Sequence, residues 1–318
     1  MPRPSGAQAQ PARMMSCADP ETEANGDADQ WQSDARPVDA PLAPGLYIVA
    51  TPIGNLGDIT LRALEVLRGA DLLACEDTRV TAKLLARYGI RKPTTPYHDI
   101  NAEQARPRLM AQLREGGRIA LVSDAGTPLI SDPGYKLVRE AVAAGVAVVP
   151  VPGPSSVLAA LMVAGLPTDR FLFVGFLPAR SGQRVQALED VRAVPATLVV
   201  LESTHRLAES LADMAAVLGP RDAVVARELT KRFEETVRAP LPELAARYAA
   251  EGDPKGEMVV VIAPPTETVA AVDDATVDAL LATELATHRP SDAAALIAQK
   301  TGRPRREVYA RAMALRKR

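Results

Sequence analysis

From Gly45 onward, short apolar runs alternate with amphipathic stretches. LYIVA (46–50), DLLAC (71–75), RIALV (118–122) and VAVVPV (146–151) each concentrate apolar residues between turn formers, the pattern of buried strands. Between them, Leu61, Ala63, Leu64 and Leu67 recur at helical spacing, and Arg79 to Tyr88 reads as a helix ending at Gly89. Asn101 with Gln104 predicts a capping box opening a helix through Arg114. Another helix runs to Gly145, and PGPSS starts one with Pro154 near its first turn. Strands alternating with helices of this length predict a mostly parallel sheet covered on both faces.

A second α/β stretch follows GLPTD (165–169). Its expected strands are FLFVGF (171–176), TLVVLE (197–202), AVVARE (223–228) and MVVVIA (258–263), with helices near 183–192, 203–218 and 241–251. Pro264, Pro265 and Thr266 mark a boundary, beyond which 275–287, 291–300 and 304–316 read as three short helices. Ser291 is the expected N-cap, Gly302 the stop and Pro304 a first-turn proline. Residues 1–43 are rich in Pro, Ala, Asp and Gln and poor in β-branched and aromatic residues, so a disordered tail is expected. The predicted organisation is therefore a tail (1–43), two α/β domains (44–164 and 165–266) and a basic helical, helix-turn-helix-like extension (267–318).

The net charge of −2 hides an asymmetry. Residues 1–44 carry three Arg against seven acids, whereas residues 289–318 carry nine Lys or Arg against two. Such a basic end is a candidate footprint for a polyanion. Only two cysteines occur, Cys17 and Cys75, and no Cys/His spacing suggests a metal site. No apolar run approaches the roughly 20 residues of a membrane span, and the start lacks the apolar segment of a secretory signal, so a cytoplasmic protein is expected.

Four Gly- and Pro-rich loops follow strands: TPIGN, SDAGTP with SDPG, VPGPSS and GFLP. Open α/β sheets bind ligands at such positions, where glycine lets the backbone approach closely. Each loop alone is equally a tight turn; four together are not readily explained so. Neither G-x-G-x-x-G after the first strand nor G-x-x-x-x-G-K-[ST] is present, which disfavours a dinucleotide site and a P-loop.

The segments TPIGNLGDITLRALEVLRGADLL, SDAGTPLISDPG and VPGPSSVLAALMVAGLPTD together resemble the tetrapyrrole methylase superfamily. Within it, ACEDTR, YHDINAE, GFLPAR, ESTHR and RELTKRFEE resemble a branch that methylates the ribose 2′-hydroxyl of a decoding-region cytidine in 16S rRNA. The likeness covers roughly Gly45 to Pro264, plus a basic helical extension typical of that branch. It implies a two-domain α/β fold of the class III methyltransferase type, a homodimer, and S-adenosylmethionine folded between the domains. The implied cofactor residues are Pro52, Ile53, Asp124, Ala125, Gly126 and Thr127. Ser131 and Asp132 complete that wall, while Gly153, Pro154, Ser155, Phe176 and Leu177 flank the adenosine.

A ribose hydroxyl is a poor nucleophile, so a base is wanted near it. The candidates are Glu76, Asp77 and Asp99; Glu76–Asp77–Thr78 equally fits a helix cap. Arg79, His98, Arg227 and Lys231 are candidate RNA contacts, although His98 equally suits a surface loop, and Arg227 and Lys231 equally fit ion pairs with Glu234 or Glu235. His205, beside Glu202 and Arg206, reads as structural. Arg303, Arg305, Arg306 and Arg311, with Arg316, Lys317 and Arg318, are either RNA contacts or a solvated helix face. Aromatics make up only 3% of the chain, so shape and phosphates rather than stacking should dominate recognition. The small ribosomal subunit is thus the expected partner. A corrin or porphyrin methyltransferase and a non-enzymatic RNA-binding module are the competing functions; a macrocycle needs no ACEDTR, YHDIN or basic extension, and a pure binder needs no cofactor loops.

Overall fold

The computed structural model describes residues 41–252, 254–265, 274–301, 303 and 305–316, with backbone alone for Gln299 and Lys300. The tail expected over 1–43, apart from its last three residues, and the expected roles of Thr266, Gly302 and Pro304 lie outside the described residues.

The first sheet is built from β1 (Gly45–Val49), β2 (Leu72–Cys75), β3 (Thr94–Pro96), β4 (Arg118–Val122) and β5 (Val148–Val151), in the order β3-β2-β4-β1-β5. All of its pairings are parallel. Parallel strands need crossovers, supplied here by α1 (Leu61–Gly69), α2 (Thr78–Arg87), α3 (Ala102–Arg114) and α4 (Tyr135–Ala143). Leu46, Ile119 and Leu121 of the sheet pack with Leu109, Met110 and Leu113 of α3 and Leu137 of α4. Burying each large apolar side chain contributes about 1.5–3 kcal/mol. The parallel geometry has one consequence for function: every strand's carboxyl end, and the loop after it, reaches the same edge.

One local expectation changes here. Asn101 does precede α3, but its side chain makes no cap hydrogen bond to the helix. Its carboxamide turns back, accepting from His98 N at 2.9 Å and donating to the Pro96 carbonyl at 2.9 Å, so it ties the 96–101 loop instead. Pro154 lies just ahead of α5 (Ser156–Ala164), near its first turn as expected; the N-cap is Ser155, whose hydroxyl accepts from Leu158 N.

The second sheet runs β6-β7-β10-β8-β9, from β6 (Phe171–Phe176), β7 (Thr197–Glu202), β8 (Asp222–Arg227), β9 (Glu235–Pro240) and β10 (Met258–Ile262). Only β6 and β7 pair in parallel; the other neighbours are antiparallel. One face is covered by α6 (Ser181–Val191), α7 (Leu207–Leu218) and α8 (Leu241–Glu251), packed through Leu188, Leu211, Met214 and Leu244 onto Leu198, Val200, Val225 and Val260. The opposite face receives α5, whose Val157, Ala160, Leu161 and Ala164 meet Val199, Val224, Val259 and Val261. Thus α5, the last helix after the first sheet, is also the cover of the second.

The C-terminal helices α9 (Asp274–Leu285), α10 (Pro290–Thr301) and α11 (Arg305–Leu315) share a small core of Val277, Leu281, Ala293, Ala294, Ile297, Val308 and Ala312. Ser291 falls inside α10, one residue after its start at Pro290, and its hydroxyl donates to Asp292, so it is not the N-cap.

Candidate functional site

The common edge of the first sheet and the facing ends of the second enclose a cavity of about 660 Å³. That size suits a cofactor-sized molecule. Ile53 enters from the loop after β1, Glu76 from the end of β2, Asp124 to Thr127 and Ile130 to Asp132 from the long loop after β4, and Ser155 to Val157 from the start of α5. Across from them stand Phe176, Glu202 to Thr204, Glu228, Leu229, Lys231 and Gly256 to Val259.

The loop geometry explains why these sequences are rich in Gly, Ser and Thr. Thr51 and Gly126 exchange two backbone hydrogen bonds, at 2.9 and 3.0 Å, which clip the first loop to the central one. Gly126 takes φ +81°, where a side chain is strained, and its bare Cα lies against Ile53. The buried Thr51 hydroxyl donates to the Ser123 carbonyl at 3.0 Å, and the Thr127 hydroxyl donates to the Pro154 carbonyl at 3.2 Å. Among the described residues, the non-glycine positions with positive φ are Leu129, Ser131, Glu228 and Thr230. All four lie in the two loops that face one another across the cavity, and such strain persists where surrounding structure fixes a functional shape.

The electrostatics are one-sided on the first-sheet wall. Burial and the neighbouring Asp124 raise the Glu76 carboxyl above the ordinary range. Burial, then Glu76 and Asp124, push Asp132 up to about 6. Asp124 itself accepts the backbone N–H of Asp77 at 2.9 Å. The opposite wall holds the cation: Lys231 Nζ donates to Glu228 Oε1 at 2.9 Å and to Glu257 Oε2 at 3.0 Å.

The structure separates the three base candidates. Glu76 lines the cavity. Asp77 caps α2, accepting from Arg79 N at 2.8 Å, and forms an ion pair with the Arg79 guanidinium; that hydrogen bonding holds its carboxyl down at about 2. Asp99 lies outside the cavity, in an adjoining cleft. Of the residues implied for the cofactor, Ile53, Asp124, Ala125, Gly126, Thr127, Ser131, Asp132, Ser155 and Phe176 line the cavity. Leu177 points away into the core beneath the second sheet, Gly153 packs against Ala50, and the Pro154 carbonyl is taken by Thr127.

The RNA candidates divide as well. Arg79 is exposed and paired with Asp77. His98 is half-buried, beside the cleft that holds Asp99. Arg227 pairs with Glu235 at 3.0 Å, one of the two partners expected, whereas Lys231 chooses Glu228 and Glu257 rather than Glu234 or Glu235. Arg303 binds Asp274 and Glu307, and Arg311 binds Asp274 and Asp278, so both staple the helical bundle together. Arg305 and Arg306 are exposed. His205 is exposed in a single helical turn, Thr204–Arg206, while its neighbour Glu202 is buried and accepts from Ser203 N, Arg206 and Ser210.

Gly256, Glu257 and Met258 escaped the sequence reading. The first two precede β10 and Met258 opens it, and because β10 is antiparallel its beginning, not its end, reaches the cavity. A search of loops after strands passes over them.

The family model for tetrapyrrole (corrin/porphyrin) methylases matches residues 45–245, most of the chain and every loop that lines the cavity's first wall. The chain belongs to the tetrapyrrole methylase family. A second model, the RsmI C-terminal HTH domain, matches residues 271–316 of this tetrapyrrole methylase. Curated relatives are named ribosomal RNA small subunit methyltransferase I. One from Mesorhizobium japonicum is 54% identical over 87% of this chain and 94% of its own length. Another, from Escherichia coli O157:H7, is 56% identical over 68% of this chain and 77% of its own. Among solved structures, diphthine synthase aligns over 69% of this chain and 89% of its own at TM-score 0.54 and 20% identity, a likeness of fold alone.

Proposed function

We propose that this tetrapyrrole methylase transfers a methyl group from S-adenosylmethionine to the ribose 2′-hydroxyl of a decoding-region cytidine in 16S rRNA. The observation that carries the proposal is the extent of the likeness. A relative named for the small-subunit rRNA reaction, the Mesorhizobium protein, matches over 94% of its own length, and separate family models match the α/β part and the helical extension. A macrocycle methyltransferase would have no use for that extension. The division into two α/β domains (44–164 and 165–266) with a basic extension (267–318) belongs to the same proposal.

The cavity fits the cofactor in volume and charge. Glu76, Asp124 and Asp132 surround a space suited to a cation, and the Gly126 backbone offers close approach. We assign Ile53, Ala125, Gly126, Thr127, Ser155 and Phe176 to its apolar and adenosine parts, and Glu76 and Asp124 to its positive charge. When bound, the cofactor supplies an electrophilic methyl group on a sulfonium. The protein's share is then positioning: holding donor and acceptor at about 3 Å and in line is worth several kcal/mol. The clipped loops, Thr51 to Gly126 and Thr127 to Pro154, supply that rigidity.

Exposed Leu158 and Met162, one turn apart on α5, support a homodimer. No helix of the described residues is long and apolar enough to cross a membrane, and an rRNA substrate supports a cytoplasmic, ribosome-associated enzyme. Titration calorimetry with S-adenosylmethionine tests the cofactor: heat, abolished by S-adenosylhomocysteine, is expected, and its absence removes the reading. Mass spectrometry of 16S rRNA from a deletion strain tests the substrate; an unchanged 2′-O-methyl signal removes the rRNA assignment.

A further inference from the structure

The cofactor cavity has a neighbour. A smaller cleft of about 240 Å³ is lined by Tyr97 and Asp99 from the loop after β3, by Ala102 and Glu103 at the start of α3, and by residues 132–136 at the start of α4. One residue, Asp132, lines both spaces. The backbone delivers it there at a cost, since Ser131, immediately before it, holds φ +64° and Leu129 holds φ +77°. The cleft is braced by ion pairs: Lys136 Nζ reaches Glu103 at 2.9 Å, and Arg106 joins Glu103 to Glu140. At its mouth Tyr135 is 67% exposed, with the Arg139 guanidinium 5.7 Å from its ring centre. A large aromatic left in water on the first turn of a helix serves no packing purpose.

We propose that this outer cleft seats the acceptor nucleotide, with Tyr135 as the stacking platform for an RNA base and Asp132 as the group that takes the proton from the ribose hydroxyl. The proposal rests on the methyltransferase reading above. A single nucleotide turned out of its stack fits such a cleft, and bases of single-stranded RNA are held by aromatic and arginine faces. In the step, the hydroxyl oxygen forms a bond to the methyl carbon as the carbon–sulfur bond breaks. The sulfur keeps the bonding pair and becomes a thioether, and the hydroxyl proton passes to an Asp132 carboxylate oxygen and from there to water.

The surroundings suit that role. Glu76 and Asp124 face Asp132 from the ends of β2 and β4, Glu202, Glu228, Lys231 and Glu257 lie on the opposite wall, and Asp99, Glu103 and Lys136 line the cleft side. The carboxyl held up at about 6 stays ionised at neutral pH while being a stronger base than an ordinary aspartate. Asp99, at the cleft's outer side, is left without a reacting partner in this arrangement.

The full-length protein with small subunits lacking the modification provides the test. Under single turnover, the wild-type rate should rise with pH through an inflection near 6 and then level. Asp132→Asn should lower the plateau about 100-fold and erase the inflection, while Asp132→Glu should keep part of the rate with the inflection moved. Tyr135→Ala should weaken equilibrium binding of a decoding-region RNA oligonucleotide, measured with S-adenosylhomocysteine present, about tenfold, and Tyr135→Phe should restore it. Both Asp132→Asn and Tyr135→Ala should keep the far-ultraviolet circular dichroism of wild type and a single cooperative thermal transition, which shows that they fold. A wild-type rate and inflection in Asp132→Asn, or unchanged oligonucleotide binding in Tyr135→Ala, overturns the proposal. Failure of the wild type to bind S-adenosylhomocysteine overturns the methyltransferase reading instead.

Discussion

Burial and two neighbouring carboxylates hold Asp132 at about 6, above the ordinary 3.8, so its ionisation costs the folded state more than the unfolded one. Stability contributed by the protonated carboxyl is complete below pH 4 and is lost as pH rises through 6. Asp132→Asn removes the penalty: it should be more stable than wild type by ~1 kcal/mol at pH 8, a figure already reduced for the group's partial exposure, and equal to it below pH 4. Denaturant melts at the two pH values check this; equal shifts at both would contradict it. Glu76 makes a different prediction, since it borders the cavity and is kept high by burial and Asp124. Glu76→Gln removes a negative charge facing a cationic ligand and should weaken S-adenosylmethionine binding about tenfold, worth ~1.4 kcal/mol, with a smaller effect on a neutral adenosine analogue in the same titration. At this scale the sequence pointed to loops that line the cavity but could not rank the acids. Glu76, Asp77 and Asp99 are chemically alike as letters; only the Arg79 ion pair and the walls of the cavity tell them apart.

The loop after β1 and the turn after β8 meet at Gly54, where an added Cβ would overlap the aliphatic stem of Lys231. Lys231 cannot give way freely, because its ammonium is fixed between Glu228 and Glu257. Gly54→Ala should therefore weaken cofactor binding about tenfold in the wild-type background and by less than twofold beside Lys231→Ala. A double-mutant cycle reads the coupling directly, and additive effects would show that the two loops do not meet in solution. Elements with strong apolar pattern were legible in advance: β1, β2, β4 and β10 follow from their aliphatic runs, and α5 from PGPSS. Two strands were not. In β9, ETVRAP, charged and polar residues take half the positions and break the apolar run, as an edge strand allows. In β3, TTP is three residues long and ends in proline, which only an edge tolerates. Missing β9 concealed the antiparallel character of the second sheet, and with it the approach of Gly256 and Glu257 to the cavity.

For the whole molecule, the concentration of positive charge at the carboxyl end overstates what RNA can meet. Arg303 and Arg311 are consumed by Asp274, Asp278 and Glu307 inside the bundle, while Arg305 and Arg306 face solvent. Arg305→Ala with Arg306→Ala should leave the melting temperature unchanged and lower the slope of log affinity against log salt for small subunits by about 1–2. Arg311→Ala should instead destabilise the bundle, seen as faster proteolysis of residues 274–316. If all four arginines behave alike in both assays, the division is wrong. A composition count could not make it, since Asp274 and Asp278 lie 29 to 37 residues along the chain from the arginines they bind. Helix α5 adds a last consequence. It seals one sheet along its length while its first turn borders the ligand space filled from the other, so neither half can hold a ligand alone. Occupancy should therefore slow hydrogen exchange together in β1 and in β8, strands remote in sequence, by the same factor: the guest would act as a mechanical coupling, making two foldable layers open as one.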